Sequence, residues 1–169
     1  SWKNFKSLNK YSIGIEINNP GHQYNYKKYS TKQISSILKL GKYLIKKYNI
    51  KKENILGHSD IAPIRKKDPG EKFPWKYLAE NKIGYWHTLP NNLIKKNRRV
   101  KVSNIDKKSF FKNLSKIGYS ENYLKNSNKT RNLKSIIKAF QRRFRQELIN
   151  GLIDKECLII SNNLLKKYY

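Results

Sequence analysis

The sequence predicts an α/β domain followed by a small three-helix domain. Three observations lead there. The stretch "YSIGIEINN" alternates apolar and polar residues with the period of a strand, residues 30–48 repeat at the spacing of a helix, and beyond residue 107 helical spacings take over. At 169 residues the chain can bury one ordinary core, or a modest core with a satellite.

In the first predicted strand Ile13, Ile15 and Ile17 share one face, and Gly14, Glu16 and Asn18 the other. Glu16 therefore stands at the centre of the polar face. "NPGHQYNYKKY" follows as a loop, with Pro20 and Gly21 as its turn signal. In residues 30–48, Ile34, Ile37, Leu38, Leu44, Ile45 and Tyr48 form the apolar side of an amphipathic helix, with Ser30 or Thr31 as its cap. "ENILGHSDI" reads as a short strand over residues 55–56 that ends at Gly57. Residues 87–106 mix Pro, Asn and cations without a sustained period and read as a linker. Three helices are then predicted. The first carries Phe110, Phe111, Leu114 and Ile117, the second Leu133, Ile136, Ile137, Phe140 and Phe144, and the third spans residues 158–165. On the second, Phe140 and Phe144 face the core, leaving Gln141, Arg142 and Arg145 to meet a ligand or solvent.

Composition narrows the function classes. With 38 Lys+Arg against 11 Asp+Glu the net charge is +27, a field that draws polyanions such as nucleic acid or an anionic cell envelope. Lys, Asn, Ile and Tyr recur everywhere, as a biased codon usage also produces. No nucleic-acid reader motif accompanies the charge, so no specific nucleic-acid partner is expected. The single cysteine, Cys157, excludes an internal disulfide and a Cys-based zinc cluster; within "CLII" it reads as a buried small hydrophobe. No window approaches the roughly 18 consecutive apolar residues of a membrane span.

The chemistry concentrates in "GHSDIAPIRKKDPG", residues 57–70. His58 and Asp68 lie ten positions apart, and Pro63 and Pro69 restrict the backbone around them. Imidazole nitrogen and carboxylate oxygen both suit zinc, whose catalytic sites take three protein ligands and leave a fourth position open. Two candidate ligands are visible. The other histidines, His22 and His87, read as surface or capping residues. The residues alone leave two readings open, a metal site and a loop pinned by His and Asp hydrogen bonds. Asp60 is expected to bond loop amides.

The segments "SIGIEINNPGH", "GHSDIAPIRKKDPGEKFPW" and "IGYW", in that order over roughly residues 1–86, resemble the zinc-dependent N-acetylmuramoyl-L-alanine amidases of the type 2 amidase family, which includes the peptidoglycan recognition proteins. The resemblance implies a mixed central sheet flanked by helices, incomplete at its N-terminus. It also implies a zinc ion in a groove, and cleavage of the amide joining muramic acid to L-alanine in peptidoglycan or its fragments. It assigns His58 and Asp68 as two zinc ligands, Glu16 as the catalytic glutamate and Lys66 as a cation beside the scissile carbonyl. The family's first zinc histidine lies upstream of the segment matching "SWKNFKSLNK", so the expectation is that the N-terminal part of the catalytic domain lies outside this chain. A non-catalytic peptidoglycan binder is the alternative.

"SFFKNLSKIGYS" and "SIIKAFQRRFRQELINGLIDKECL" resemble a three-helix peptidoglycan-binding domain, through Gly118, Tyr119, residues 139–145, Gly151 and Asp154. "SENYLKNSNKTRN" between them fits less closely. The implied organisation is an amidase portion over residues 1–86, a linker over 87–106 and a peptidoglycan-binding-like domain over 107–169. The implied partner is peptidoglycan or muropeptides, met by a monomer in the bacterial cell envelope, periplasmic or associated with the outer membrane.

Overall fold

The computed structural model describes residues 2, 3, 5, 7–119 and 129–169, the side chain of residue 129 excepted. The described residues form seven α-helices: α1 (Thr31–Tyr48), α2 (His58–Ile61), α3 (Trp75–Glu80), α4 (Asn91–Asn97), α5 (Asn104–Ile117), α6 (Lys129–Phe144) and α7 (Lys155–Tyr168). Part of the "SENYLKNSNKTRN" stretch lies outside the described residues.

The predicted mixed sheet is corrected: no strand occurs among the described residues, and the only β-pairings are isolated bridges of Trp2 with Phe5 and with Tyr119. A period of two sets which face of an extended segment is apolar, but the ladder bonds must come from a neighbouring strand. Among the described residues, the segment around Glu16 has no such neighbour. Ile13 and Ile15 remain 50% and 44% exposed, and only Ile17 packs against a core. The predicted strand at residues 55–56 fails for a visible reason: the Ile55 carbonyl accepts from Arg143 Nη2 at 2.7 Å, a side chain in the position a ladder amide would take.

The first long helix forms as expected. Ser30 caps α1, its Oγ accepting from the Gln33 amide at 3.2 Å while Gln33 Oε1 accepts from the Ser30 amide at 2.9 Å. Ile34, Ile37, Leu38 and Ile45 then pack on Tyr29, Phe73, Trp75, Leu78 and Ile83, the smaller of two apolar clusters.

The larger cluster belongs to α5, α6 and α7, around Phe110, Leu114, Ile117, Ile136, Phe140, Phe144, Ile160 and Leu164. It is not confined to them: Trp2 and Tyr85 are buried in the same cluster, and Trp86 packs against both clusters. Gly118, which ends α5 with a φ of +131°, lies so close to the Trp2 ring that a Cβ there would collide with it. Cys157 sits in this core as expected, its thiol pushed up to about 12 by burial.

Residues 87–106 are more ordered than a linker pattern suggests. They contain α4, and Arg98 reaches α7 with a forked pair of 2.8 Å bonds to Glu156 and a third bond to Glu147. Gln141, Arg142 and Arg145, expected to be available to a ligand, are all buried. Gln141 accepts from the Gly151 amide and donates to the Leu152 carbonyl, both at 2.8 Å, and Arg145 pairs with Asp154, the N-cap of α7. Their polar groups organise the turn before α7.

One ion pair joins the two clusters. Arg143 Nη1 donates to Asp60 Oδ2 at 2.6 Å, with both side chains almost wholly buried, and the guanidinium stacks over Trp75, Tyr85 and Phe144 at 4.3–5.2 Å. Removing one partner of a buried pair strands the other charge. Arg143→Met is therefore expected to lower unfolding stability by about 3–5 kcal/mol, measured by urea denaturation; a loss under 1 kcal/mol would show that the pair contributes little.

Candidate functional site

The segment from Gly57 to Gly70 is a loop closed on itself. Gly57 approaches Pro69 and Trp75 closely enough that a Cβ would meet Pro69 Cδ at 2.8 Å. The Ser59 amide donates to the Asp68 carbonyl at 2.8 Å, which brings the start of α2 beside Asp68. Two phenols fasten the far side: Tyr26 and Tyr29 both donate to the Pro69 carbonyl, at 2.7 and 2.8 Å. Burial raises both hydroxyls above the ordinary tyrosine value, so they stay protonated donors. Gly70, with φ +83°, leaves the room that the Tyr26 hydroxyl fills.

Beneath the loop, the Asp60 carboxylate accepts three hydrogen bonds among the described residues, from Gly57, Arg143 and Tyr119. Its Oδ2 takes the Gly57 amide at 2.8 Å and Arg143 Nη1, and its Oδ1 takes the Tyr119 hydroxyl at 2.7 Å. The expected bond to a loop amide is present. The buried partners from α6 and from the end of α5 were not expected.

On this support the structure brings two of the sequence-predicted residues together. His58 Nδ1 lies 3.0 Å from Asp68 Oδ2, and both side chains are partly exposed, so the pair opens to solvent. The loop is pinned, as one of the two readings requires, and the two donors that the other reading needs lie side by side. As a metal site the pair fits two positions by donor type and proximity; among the described residues no group of three His, Cys, Asp or Glu forms around it. Glu16 is exposed on its extended segment and Lys66 is half-buried after α2, and no hydrogen bond or ion pair joins either to the pair.

The remaining histidines differ from each other. His22 bonds Glu71 at 2.9 Å at the surface; burial is the largest influence on Glu71 and raises it, but the His22 bond, a backbone bond and the charges of His22 and Arg142 together hold the carboxyl below its ordinary value. His87 is not a surface residue: it is 7% exposed, leans on the Trp86 ring, and neither ring nitrogen has a hydrogen-bond partner among the described residues.

Arg143 and Tyr119 were missed by sequence reasoning, and the signal for Arg143 was available. The apolar spacing Ile136, Ile137, Phe140, Phe144 places position 143 on the same helical face, and a cation there requires a buried anion.

Comparison with known proteins follows the same residues. Residues 1–71 match the family Amidase_2, described as N-acetylmuramoyl-L-alanine amidase. The N-acetylmuramoyl-L-alanine amidase AmiD of Escherichia coli K12 is 36% identical over 173 residues, covering 99% of this chain and 62% of that protein. The 1,6-anhydro-N-acetylmuramyl-L-alanine amidase AmpD of Haemophilus influenzae is 38% identical over 79 residues, 46% of this chain and 41% of its own length. The structure of E. coli AmiD in complex with the substrate anhydro-N-acetylmuramic acid-L-Ala-D-gamma-Glu-L-Lys superposes with a TM-score of 0.85 at 36% identity, over 99% of this chain and 66% of that one. This chain thus spans about three fifths of the length of AmiD.

His87 generates a test of the buried arrangement. Burial, with Lys76 adding to it, lowers its imidazole from 6.5 to about 4. The unfolded chain takes up this proton near pH 6.5 and the folded chain only near 4, so the stability is full above 6.5 and is lost as pH falls between them, by roughly 3 kcal/mol in all. In urea titrations at pH 7.5 and 4.5 the native protein is expected to lose roughly 2 kcal/mol more than His87→Gln does; equal losses would show that His87 protonates freely in the fold.

Proposed function

We propose that the protein is an N-acetylmuramoyl-L-alanine amidase, as the match of residues 1–71 to that family supports, and that it hydrolyses the amide between N-acetylmuramic acid and L-alanine in peptidoglycan or its fragments. One observation carries the reading: an imidazole and a carboxylate, His58 and Asp68, meet at 3.0 Å on an open loop of a chain that is 36% identical to AmiD over 99% of its length.

In this reading His58 and Asp68 are two ligands of a zinc ion which, when bound with a further ligand, polarises a carbonyl and lowers the pKa of water. Glu16 accepts the proton of the attacking water and returns it to the departing amine, the two duties of a general base and acid. Lys66 donates to the carbonyl oxygen as negative charge develops there. The backbone of the loop supplies the rigidity this needs, since the phenols of Tyr26 and Tyr29 and the Asp60 anchor restrain it on two sides.

The substrate class suits the charge of the chain. A stem of the kind named for the AmiD complex is joined through the γ-carboxyl of D-Glu, which leaves the α-carboxyl of that residue and the terminal carboxyl free. A field of +27 attracts such anions. Residues 107–169 serve as a peptidoglycan-binding-like bundle, and the protein works as a monomer in the cell envelope. No described helix is long and apolar enough to cross a membrane.

Glu16→Gln is expected to lower the release of stem peptide from purified muropeptides by about 100-fold or more with zinc content unchanged, whereas Asp68→Asn lowers zinc content itself. Full turnover by Glu16→Gln would remove Glu16 from the mechanism. A native protein that binds sacculi and releases no peptide would be a binder.

A further inference from the structure

Arg142 and Arg143 lie in the last turn of α6 and Arg145 just beyond it, and their fates diverge. Arg143 is neutralised by Asp60, and Arg145 by Asp154 and Glu156. Arg142 is only 9% exposed and makes no hydrogen bond or ion pair among the described residues. Its nearest anion, Glu71, already holds His22 at 2.9 Å. Burial accordingly works against the charged form of Arg142. Its side chain packs among protein atoms while its guanidinium nitrogens keep access to solvent, so a cation with uncommitted donors is presented at the edge of the fold.

Arg142 faces a cavity of about 240 Å³ at the seam between α6 and the loop that follows Asp68. Lys138, one turn earlier on α6, and Lys67, from the loop, line the same cavity, with His22 and Glu71 on one side. The Gln146 amide, also lining it, is committed to the Phe73 carbonyl at 2.7 Å. The uncommitted groups are therefore three cations, and a guanidinium fork flanked by two ammonium groups matches the two oxygens of a carboxylate. One lining residue, Lys67, precedes Asp68 in the chain, which ties that wall of the cavity covalently to the proposed reaction centre.

We propose that this cleft is a subsite for a free carboxylate of the substrate's peptide stem, with Arg142 of α6 as its central specificity residue. The inference rests on the amidase reading for its substrate class, and it makes the helical bundle part of the substrate site.

The test uses the full-length protein, a muramoyl tripeptide with both stem carboxylates free, and the same compound with both amidated. Amidation is expected to raise KM about 10-fold for the native protein, and Arg142→Gln to raise KM about 10-fold for the free acid alone, with kcat within about twofold. Arg142→Lys, which keeps the charge and loses the fork, should recover part of the difference, and singly amidated substrates tell which carboxylate occupies the cleft. Equal losses on acid and amide, or no loss on either, would overturn the proposal. Calorimetric titration of the released tripeptide L-Ala-D-γ-Glu-L-Lys separates this from the amidase reading. If no substrate is cleaved while the peptide binds and Arg142→Gln weakens it about 10-fold, the subsite stands and the amidase reading falls. If cleavage persists and Arg142→Gln changes neither KM nor peptide affinity, the reverse holds. Displacement of the peptide by inorganic phosphate at matching affinity would overturn the carboxylate assignment.

Discussion

The buried pair of Arg143 and Asp60 is the constraint on which the rest of the structure depends. Taking two charges out of water costs several kcal/mol per ion, so such a pair persists where further bonds satisfy the groups left over. Here Asp60 also accepts from the Gly57 amide and the Tyr119 hydroxyl, Arg143 also donates to the Ile55 carbonyl, and three aromatic rings receive the guanidinium. The partners come from the start of α2, the ends of α5 and α6, and the segments around Trp75 and Tyr85, so the pair ties α2, which begins at His58, to the rest of the chain.

This arrangement changes how the two ends of the chain relate. A wall-binding bundle tethered by a loose linker raises local substrate concentration and need not touch its neighbour. In this fold Trp2 and Tyr85 lie inside the core of α5, α6 and α7, Arg98 binds the intervening segment to Glu156 on α7, and the Tyr168 hydroxyl donates to the Trp86 carbonyl at 3.0 Å. The bundle is a wall of the same body that carries the candidate site. α6 forms one side of the cleft that Lys67 and Glu71 line from the other.

Helices were legible in the sequence because their apolar spacing and caps are local: Ser30 with Gln33, and Asp154 at the start of α7, act within one turn. The strand around Glu16 was misread because its alternating pattern says nothing about whether a partner lies alongside. The pairing of His58 with Asp68 was foreseen from residue types and spacing, while the Tyr26 and Tyr29 bonds to Pro69, each spanning some forty residues, leave no local trace. Gln141 and Arg145 were read as available because they are polar, and their burial depends on partners that the helix's own period does not reveal, Gly151 for Gln141 and Asp154 for Arg145.

The claim that one ion pair makes the chain a single body is tested most directly by differential scanning calorimetry of the native protein. A single transition is predicted, with the calorimetric enthalpy equal to the van't Hoff enthalpy, because neither cluster keeps its buried partners when the other unfolds. Two separable transitions, one for residues 1–86 and one for the bundle, would contradict it.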